Sequence, residues 1–347
     1  MDISELLLFS NKQGASDLHI SSGEPPMIRI NGDMQKLDMP ALSREEVHAL
    51  LYDIFNDQQR KVFEENHEID FSIAFKEIAR FRVNAFVQAR GESAVFRTIP
   101  INIMTIEELG LPKILENIAR CEKGLVLVTG PTGSGKSTTL AAMIDMINNE
   151  FKGHIITIED PIEFVHKSKN CLISQRELGP HTHSFANALR AALREDPDII
   201  LVGEMRDLET IQLALTAAET GHLVFGTLHT SSAPKTVDRV IDVFPSEQQE
   251  QIRAMFSESI QAVITQTLVK KRNGEGRVAA LEIMIGTPAV RNLIREAKIS
   301  QIPSIIQTSQ NVGMKTMDQA IKELFQKNII SKNDALQLVS NPSFLSQ

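Results

Sequence analysis

The sequence predicts an α/β protein in two parts, a larger C-terminal region on a mainly parallel sheet and a smaller N-terminal α+β domain. Three observations carry this. From Gly124 onward, short apolar runs alternate with helix-length amphipathic stretches, the pattern of a parallel sheet covered by helices. At the start of that region the apolar run Leu125-Val-Leu-Val128 passes into a glycine-rich turn, and a helix pattern begins near Ser137. Before residue 100 the chain instead alternates apolar and polar residues at period two, as half-buried antiparallel strands do.

Taken in order, a helix from about Ile3 to Gly14 leads into Ser16-Asp-Leu-His-Ile20 and then a turn cluster, Ser21 to Pro26. Met27 to Asp33 alternates and closes in Asn31-Gly32, a hairpin signal. Ser43-Arg-Glu-Glu46 has capping-box spacing and opens a helix that reaches about Phe55. Segments 70–75, 80–86 and 94–99 read as antiparallel strands, with turns near Lys76–Ala79 and Arg90-Gly91. Arg80, Arg82, Arg90 and Arg97 lie in this small sheet. They form either a solvated polar face or a cation offered in trans to a neighbour's γ-phosphate, and the residues alone leave both readings open. Pro100 to Pro112 reads as a connection, so the expected division is 1–100, a linker 101–112, and 113–347.

The stretch between the first buried strand and its helix is Gly130-Pro131-Thr132-Gly133-Ser134-Gly135-Lys136-Ser137, followed by Thr138. It fits G-x-x-x-x-G-K-[ST], and strand before with helix after is the context that gives the pattern meaning. The glycines let the backbone curl so that successive N–H groups face phosphate oxygens. Lys136 supplies a cation for the β- and γ-phosphates and Ser137 a hydroxyl for Mg²⁺, while the helix adds its positive end. The stretch is expected to bind a nucleoside triphosphate.

Further strands should bring carboxylates to the same rim. The strand at 154–158 ends in Glu159-Asp160-Pro-Ile-Glu163, and ligands of such sheets sit outside the carboxyl ends of strands. Acids decorating a helix N-terminus are the bland alternative, and Glu163 is the strongest candidate of the three. The strand Ile199 to Val202 has Asp198 before it and Glu204 after it. Six extended positions span roughly 20 Å, so both cannot reach one γ-phosphate. Glu204 is therefore chosen for polarising the attacking water, directly or through Mg²⁺, and Asp198 for a structural role. Asp207 should cap an amphipathic helix that stops at Gly221. The next strand begins at His222 and ends near Thr227 and His229, which could sense the γ-phosphate; His222, at the opposite end, is expected to be structural. Arg194, Arg206 and Arg239 flank these elements, and the sequence does not rank them.

Composition excludes several classes. Net charge is −8 over 347 residues with no basic block, which weighs against binding of duplex nucleic acid. One Tyr and no Trp leave little for stacking on single-stranded bases. The two cysteines, Cys121 and Cys171, are isolated, which suggests neither a zinc site nor a disulfide framework and fits a reducing, cytoplasmic setting. No signal peptide is read at the start, and no apolar run approaches the ~20 residues needed to span a bilayer.

Thr157-Ile-Glu-Asp-Pro-Ile-Glu163, Asp196 to Glu204 and Ala218 to His229 resemble the Asp box, Walker B strand and His box of the secretion-superfamily ATPases, which drive type II secretion and type IV pili. Ala15-Ser-Asp-Leu-His-Ile20 resembles the N-terminal signature of the same family, so the resemblance covers nearly the whole chain in order. Within the family the pilus-retraction branch is the nearest match. The N-terminal region is short, no tetracysteine insertion is present, and Pro288-Ala-Val-Arg-Asn-Leu-Ile-Arg-Glu296 resembles the retraction motif with Val290 in place of Ile.

The resemblance implies a PAS-like N-terminal domain, a RecA-like C-terminal core and a homohexameric ring with nucleotide between the two domains. It implies a Mg²⁺-dependent ATPase powering pilus retraction and twitching motility by pilin disassembly. Glu204, aided by Glu163, would orient or deprotonate water, and His229 would report the γ-phosphate. Arg82 and Arg97 stand where the family's small-domain arginines reach the phosphates. The implied partners are an inner-membrane platform protein, the pilus machinery and a paralogous retraction ATPase, at the cytoplasmic face of the inner membrane, with no nucleic acid. The alternatives are a pilus-assembly or type II secretion ATPase, a RecA-like nucleic-acid translocase, and a scaffold that only binds ATP. On its own pattern, 289–298 is an amphipathic helix with Val290, Leu293, Ile294 and Ala297 on one face and Arg291, Arg295 and Glu296 off it. Met317–Phe325 and Ser331–Val339 read as two further amphipathic helices.

Overall fold

The computed structural model describes residues 2–30, 32–75, 79–99, 102–274, 276–340 and 342–345. Asn31 of the expected hairpin turn, residues 76–78 of the expected turn near Lys76–Ala79, and Pro100 and Ile101 of the expected connection lie outside them. The chain divides into two compact units, Met1–Asn102 and Ile103–Gln347.

The smaller unit contains helices α1 (Ile3–Lys12), α2 (Arg44–Tyr52) and α3 (Asp57–Asn66). Its strands are β1 (Asp17–Ser21), β2 (Met27–Ile30), β3 (Asp33–Lys36), β4 (Glu68–Phe75), β5 (Ala79–Gln88) and β6 (Gly91–Ile99). They form one sheet in the order β3-β2-β1-β6-β5-β4, each neighbouring pair antiparallel. Alternation assigns the faces: Leu18, Ile20, Phe81, Val83 and Phe96 are buried against Leu6 and Leu7 of α1, Val47 and Leu51 of α2 and Phe63 of α3. The capping box at α2 is complete, with Ser43 Oγ accepting from the Glu46 N–H at 3.1 Å and the Glu46 carboxylate from the Ser43 N–H at 2.8 Å. Helix α3 was not expected. It has its own capping box, Asn56 with Gln59, but buries only Phe63, so its apolar periodicity is faint.

The larger unit opens with α4 (Ile114–Ala119), β7 (Gly124–Thr129), α5 (Lys136–Glu150), β8 (His154–Glu159), β9 (Leu172–Glu177) and α6 (Phe185–Ala192). It continues with β10 (Ile199–Val202), α7 (Leu208–Glu219), β11 (Leu223–Leu228), α8 (Ala233–Asp242), α9 (Ser246–Ser259), β12 (Ile260–Lys270) and β13 (Arg277–Ile285). It ends in α10 (Pro288–Arg295), α11 (Ile302–Thr308), α12 (Met317–Gln326) and α13 (Lys332–Leu338). The strand order is β13-β12-β7-β11-β10-β8-β9, parallel throughout except for β13. Every residue of β7, β10 and β11 is buried, as strands covered on both faces require. Leu125 and Leu127 face one core with Leu215 of α7 and Phe256 of α9, while Val126 and Val128 face another with Met143 and Ile144 of α5. Ile106 and Leu111, before α4, are buried in that second core.

The α10 segment departs from expectation at Ala297 and at Arg291. Val290, Leu293 and Ile294 are buried as expected, but Ala297 is exposed at φ 56°. The helix stops at Arg295 in a Schellman turn, with Lys298 N–H donating to Leu293 C=O at 2.8 Å and Ala297 N–H to Ile294 C=O at 3.1 Å. Arg291 is not solvated off the apolar face. Its guanidinium donates to the main-chain carbonyls of Gly286 at 2.7 Å and Ser257 at 2.9 Å, and to that of Glu258. It thus supplies donors to carbonyls at the end of α9, which lack intrahelical partners. Among the described residues, no helix is long and apolar enough to cross a membrane.

Candidate active site

The site is built at the carboxyl ends of β7, β8, β10 and β11, which lie side by side in the sheet. The loop from β7 to α5 begins at Gly130 (φ 138°) and turns through Gly133 (φ 77°) to Gly135 (φ 87°), which caps α5 without a side-chain bond. These values lie in the region that L side chains avoid, which is why the loop needs glycine. Among the described residues, the N–H groups of Thr132, Gly133, Gly135, Lys136 and Ser137 have no acceptor within the protein. They form a concave row of donors at a helix N-terminus, a fit to phosphate oxygens. Lys136 curls across the mouth of the loop, its ammonium donating to the C=O of Gly130 at 2.9 Å and of Pro131 at 3.2 Å. Burial lowers the Lys136 pKa, and the nearby Glu204 and Glu163 carboxylates oppose that shift.

Two residues beyond β10, Glu204 projects at the rim. Arg206 holds it in a two-pronged pair, Nε to Oε1 and Nη2 to Oε2, both 2.6 Å. The Nε2 of His229, one residue past β11, stands 2.9 Å from Glu204 Oε1. The Arg206 hydrogen bonds hold the Glu204 pKa below the usual carboxylate value; burial pulls the other way and His229 reinforces the lowering. Thr227 is turned inward, its hydroxyl donating to Gly203 C=O.

The loop after β8 separates its three acids. Glu163 is exposed beside the Lys136–Glu204 cluster. The Glu159 carboxylate is enclosed, accepting from Thr157 Oγ1 at 2.7 Å and Gln175 Nε2 at 3.1 Å, and burial raises its pKa. Asp160 acts on Arg206 through charge. Strand β9 pins this loop: Gln175 Nε2 donates to Phe164 C=O at 2.8 Å, and Glu177 accepts from Ile162 N–H at 3.2 Å. The sequence marks neither residue, because β9 alternates weakly and has no motif.

Other candidates fall outside this cluster. Asp198 sits at the amino end of β10 and accepts from His154 N–H at 2.8 Å. His222, at the amino end of β11, donates from Nδ1 to Ala217 C=O at 2.9 Å. Arg206 is the flanking arginine that meets Glu204, whereas Arg194 follows α6 at the amino ends of the strands and Arg239 lies exposed on α8. In the smaller unit Arg82 and Arg97 are register partners on β5 and β6. Like charges opposite one another repel, and each has an acid: Arg97 with buried Asp17 at 2.9 Å, Arg82 with Asp70 at 3.8 Å. Arg80 donates to Ser72 Oγ at 2.9 Å and Arg90 pairs with Glu24 at 2.7 Å.

Ser137 and Glu204 offer hydroxyl and carboxylate oxygens, the donors that Mg²⁺ takes. Among the described residues there is no group of three or more His, Cys, Asp or Glu side chains able to hold a metal alone.

A family profile described as "Type II/IV secretion system protein" matches residues 2–336. The chain is 63% identical over 342 residues to the type IV pilus retractation ATPase PilT of Pseudomonas aeruginosa, covering 99% of both chains. It is 59% identical over 321 residues to the twitching motility protein of Neisseria gonorrhoeae, covering 92% of this chain and 86% of that one. The crystal structure of the pilus retraction motor PilT with bound ADP superposes at a TM-score of 0.93 with 47% identity, covering 100% of this chain and 99% of the other. With the profile matching almost end to end, the chain belongs to the type II/IV secretion system protein family.

Proposed function

We propose that this protein is an ATP-hydrolysing motor that powers type IV pilus retraction, and with it twitching motility, by disassembling pilin. The observation that carries the reading is the Glu204 carboxylate, clamped by Arg206 and His229 at the rim where the β7–α5 loop presents unpaired amides. End-to-end similarity to retraction ATPases supports the direction of the motor.

In this reading, residues 130–138 grip the nucleotide, their amides and Lys136 holding the β- and γ-phosphates. Ser137 and Glu204 would hold Mg²⁺, which would supply neutralising positive charge to the phosphates. Glu204 stays ionised through Arg206 and, aided by Glu163, orients or deprotonates the attacking water. His229 follows the γ-phosphate through its contact with Glu204. Arg82 and Arg97 of a neighbouring subunit offset the charge that develops in the transition state. Positioning and electrostatics supply most of the acceleration in such a site. The protein acts as a homohexamer of subunits, each a PAS-like domain followed by a RecA-like core. It works in the cytoplasm against an inner-membrane platform protein, with the pilus machinery and a paralogous retraction ATPase as further partners and no nucleic acid.

The test measures ATPase turnover and ADP affinity in Glu204→Gln and Lys136→Ala, with pilus retraction scored in cells lacking their own motor. Glu204→Gln should lose about 10²-fold or more in kcat while still binding ADP, and Lys136→Ala should lose binding. Full turnover by Glu204→Gln would overturn the catalytic assignment. Retraction rescued by an ATPase-dead variant would overturn the motor.

A further inference from the structure

Gln266 lies on β12, on the side of β7 away from the acidic rim, and its side chain bridges the middle of the nucleotide loop and the first turns of α5. It is 2% exposed. Its Nε2 donates to the Ser134 C=O at 2.6 Å, and its Oε1 accepts from Thr139 Oγ1 in the first turns of α5 at 2.7 Å. The amide orientation is dictated by chemistry, since a main-chain carbonyl only accepts and so must face the NH₂ group. The loop closes tightly on this residue. A Cβ on Gly130 would lie 2.2 Å from the Gln266 main-chain oxygen, and a Cβ on Gly135 2.7 Å from Nε2.

We infer that Gln266 is a positioning residue that holds the phosphate loop in its binding-ready shape. This role presupposes the loop as the nucleotide site proposed above. A glycine-rich loop has many alternative conformations, and its unpaired amides bind phosphate well only when they converge before the ligand arrives. One buried amide bonded to the loop's middle and to the helix behind it suppresses those alternatives. Only a side chain that donates and accepts at once can do this. Leucine fills the space and does neither; a glutamate anion accepts but cannot donate to Ser134; a protonated glutamate does both.

The consequence is a split in kinetics. Loop amides hold phosphate in the ground state and the transition state alike, so a loosened loop raises KM more than it lowers kcat. Gln266→Leu should weaken ADP binding and raise KM for ATP about tenfold with kcat within about threefold of wild type. Gln266→Glu should bind ADP as weakly as Gln266→Leu at pH 8. Its deficit relative to wild type at the same pH should close as pH falls, because burial raises the carboxyl pKa and the protonated form restores both bonds.

The experiment titrates a fluorescent ADP analogue against full-length wild type, Gln266→Leu, Gln266→Glu and Lys136→Ala between pH 5.5 and 8, with a melting curve for each. A folded Gln266→Leu with wild-type affinity overturns the inference, and so does a Gln266→Glu deficit that does not change with pH. Should Gln266→Leu not fold, the isosteric Gln266→Glu series decides alone. Wild type failing to bind ADP would sink the nucleotide-site reading and this inference together. Wild type binding, Lys136→Ala not binding and Gln266 variants binding normally would sink this inference only.

Discussion

His229 and Glu204 meet at 2.9 Å, one residue past β11 and two past β10, strands that are parallel neighbours. The contact ties the acid at one strand end to the loop that enters α8. That loop is itself held: Thr230 and Thr236 share a hydroxyl pair at 2.6 Å, and Ala233 N–H donates to Glu282 on β13 at 2.7 Å. Movement of His229 would therefore alter a direct contact of the Glu204 carboxylate.

Arg206 sets the protonation of Glu204. Because its hydrogen bonds favour the ionised form, the folded-state pKa lies below 4.5, so the carboxylate protonates only as pH falls past that ordinary value. Any stability the pair contributes is present above pH 4.5 and is lost as pH drops through the lowered pKa. In Arg206→Ala the main lowering cause is gone. The acidic limb of the kcat profile, normalised to its plateau, should move to higher pH. An unmoved limb would show that Glu204 is not the group whose protonation stops turnover.

Arg82 and Arg97 face the same side of one small sheet, where Asp70 and Asp17 hold them. If they serve a neighbour's nucleotide, one subunit can lend the cation while another lends the loop. Arg82→Ala and Lys136→Ala proteins should each be inactive alone and should regain turnover when mixed. Absence of recovery at every ratio would count against a cation acting across subunits.

Much of this site is legible in the sequence because its parts are local. The phosphate loop is eight consecutive residues, and Glu204 follows its buried run by two positions, which strand period and rim placement suffice to rank above Asp198. What escaped was long-range. Gln266 meets Ser134 across a separation of 132 residues, and no spacing rule connects a strand amide to a loop that distant. Residue type does not separate Arg206 from Arg194; the sheet does, placing one beside Glu204 at the carboxyl ends and one at the amino ends. Ala297 continues the apolar period of α10 but lies past the point where the helix stops, and periodicity carries no stop signal when the left-handed residue is not glycine.

The two arginines of α10 should separate by stability. Arg291 is half-buried, and removing it leaves carbonyls of Ser257, Glu258 and Gly286 without this donor. Arg295 makes an exposed pair with Glu258 at 2.9 Å. Arg291→Ala should cost ~2 kcal/mol, whereas Arg295→Ala should cost ~0.5 kcal/mol or less. Urea midpoints of the larger unit check this, and equal shifts would refute the anchoring role of Arg291.

Ala297 offers the converse test, a substitution that stabilises. Its φ of 56° places Cβ against the following carbonyl, and the Schellman bonds from Ala297 and Lys298 require that conformation. Glycine adopts it freely, though it also gives the unfolded chain more freedom, so part of the gain is offset. Ala297→Gly should raise stability by ~0.5–1 kcal/mol, seen as a higher urea midpoint and slower amide exchange in the last turn of α10. Exchange matters because it localises the effect: a higher midpoint with unchanged protection at Ala297 and Lys298 would place the gain elsewhere. A lower midpoint would mean that the Ala297 methyl makes contacts that outweigh its backbone strain.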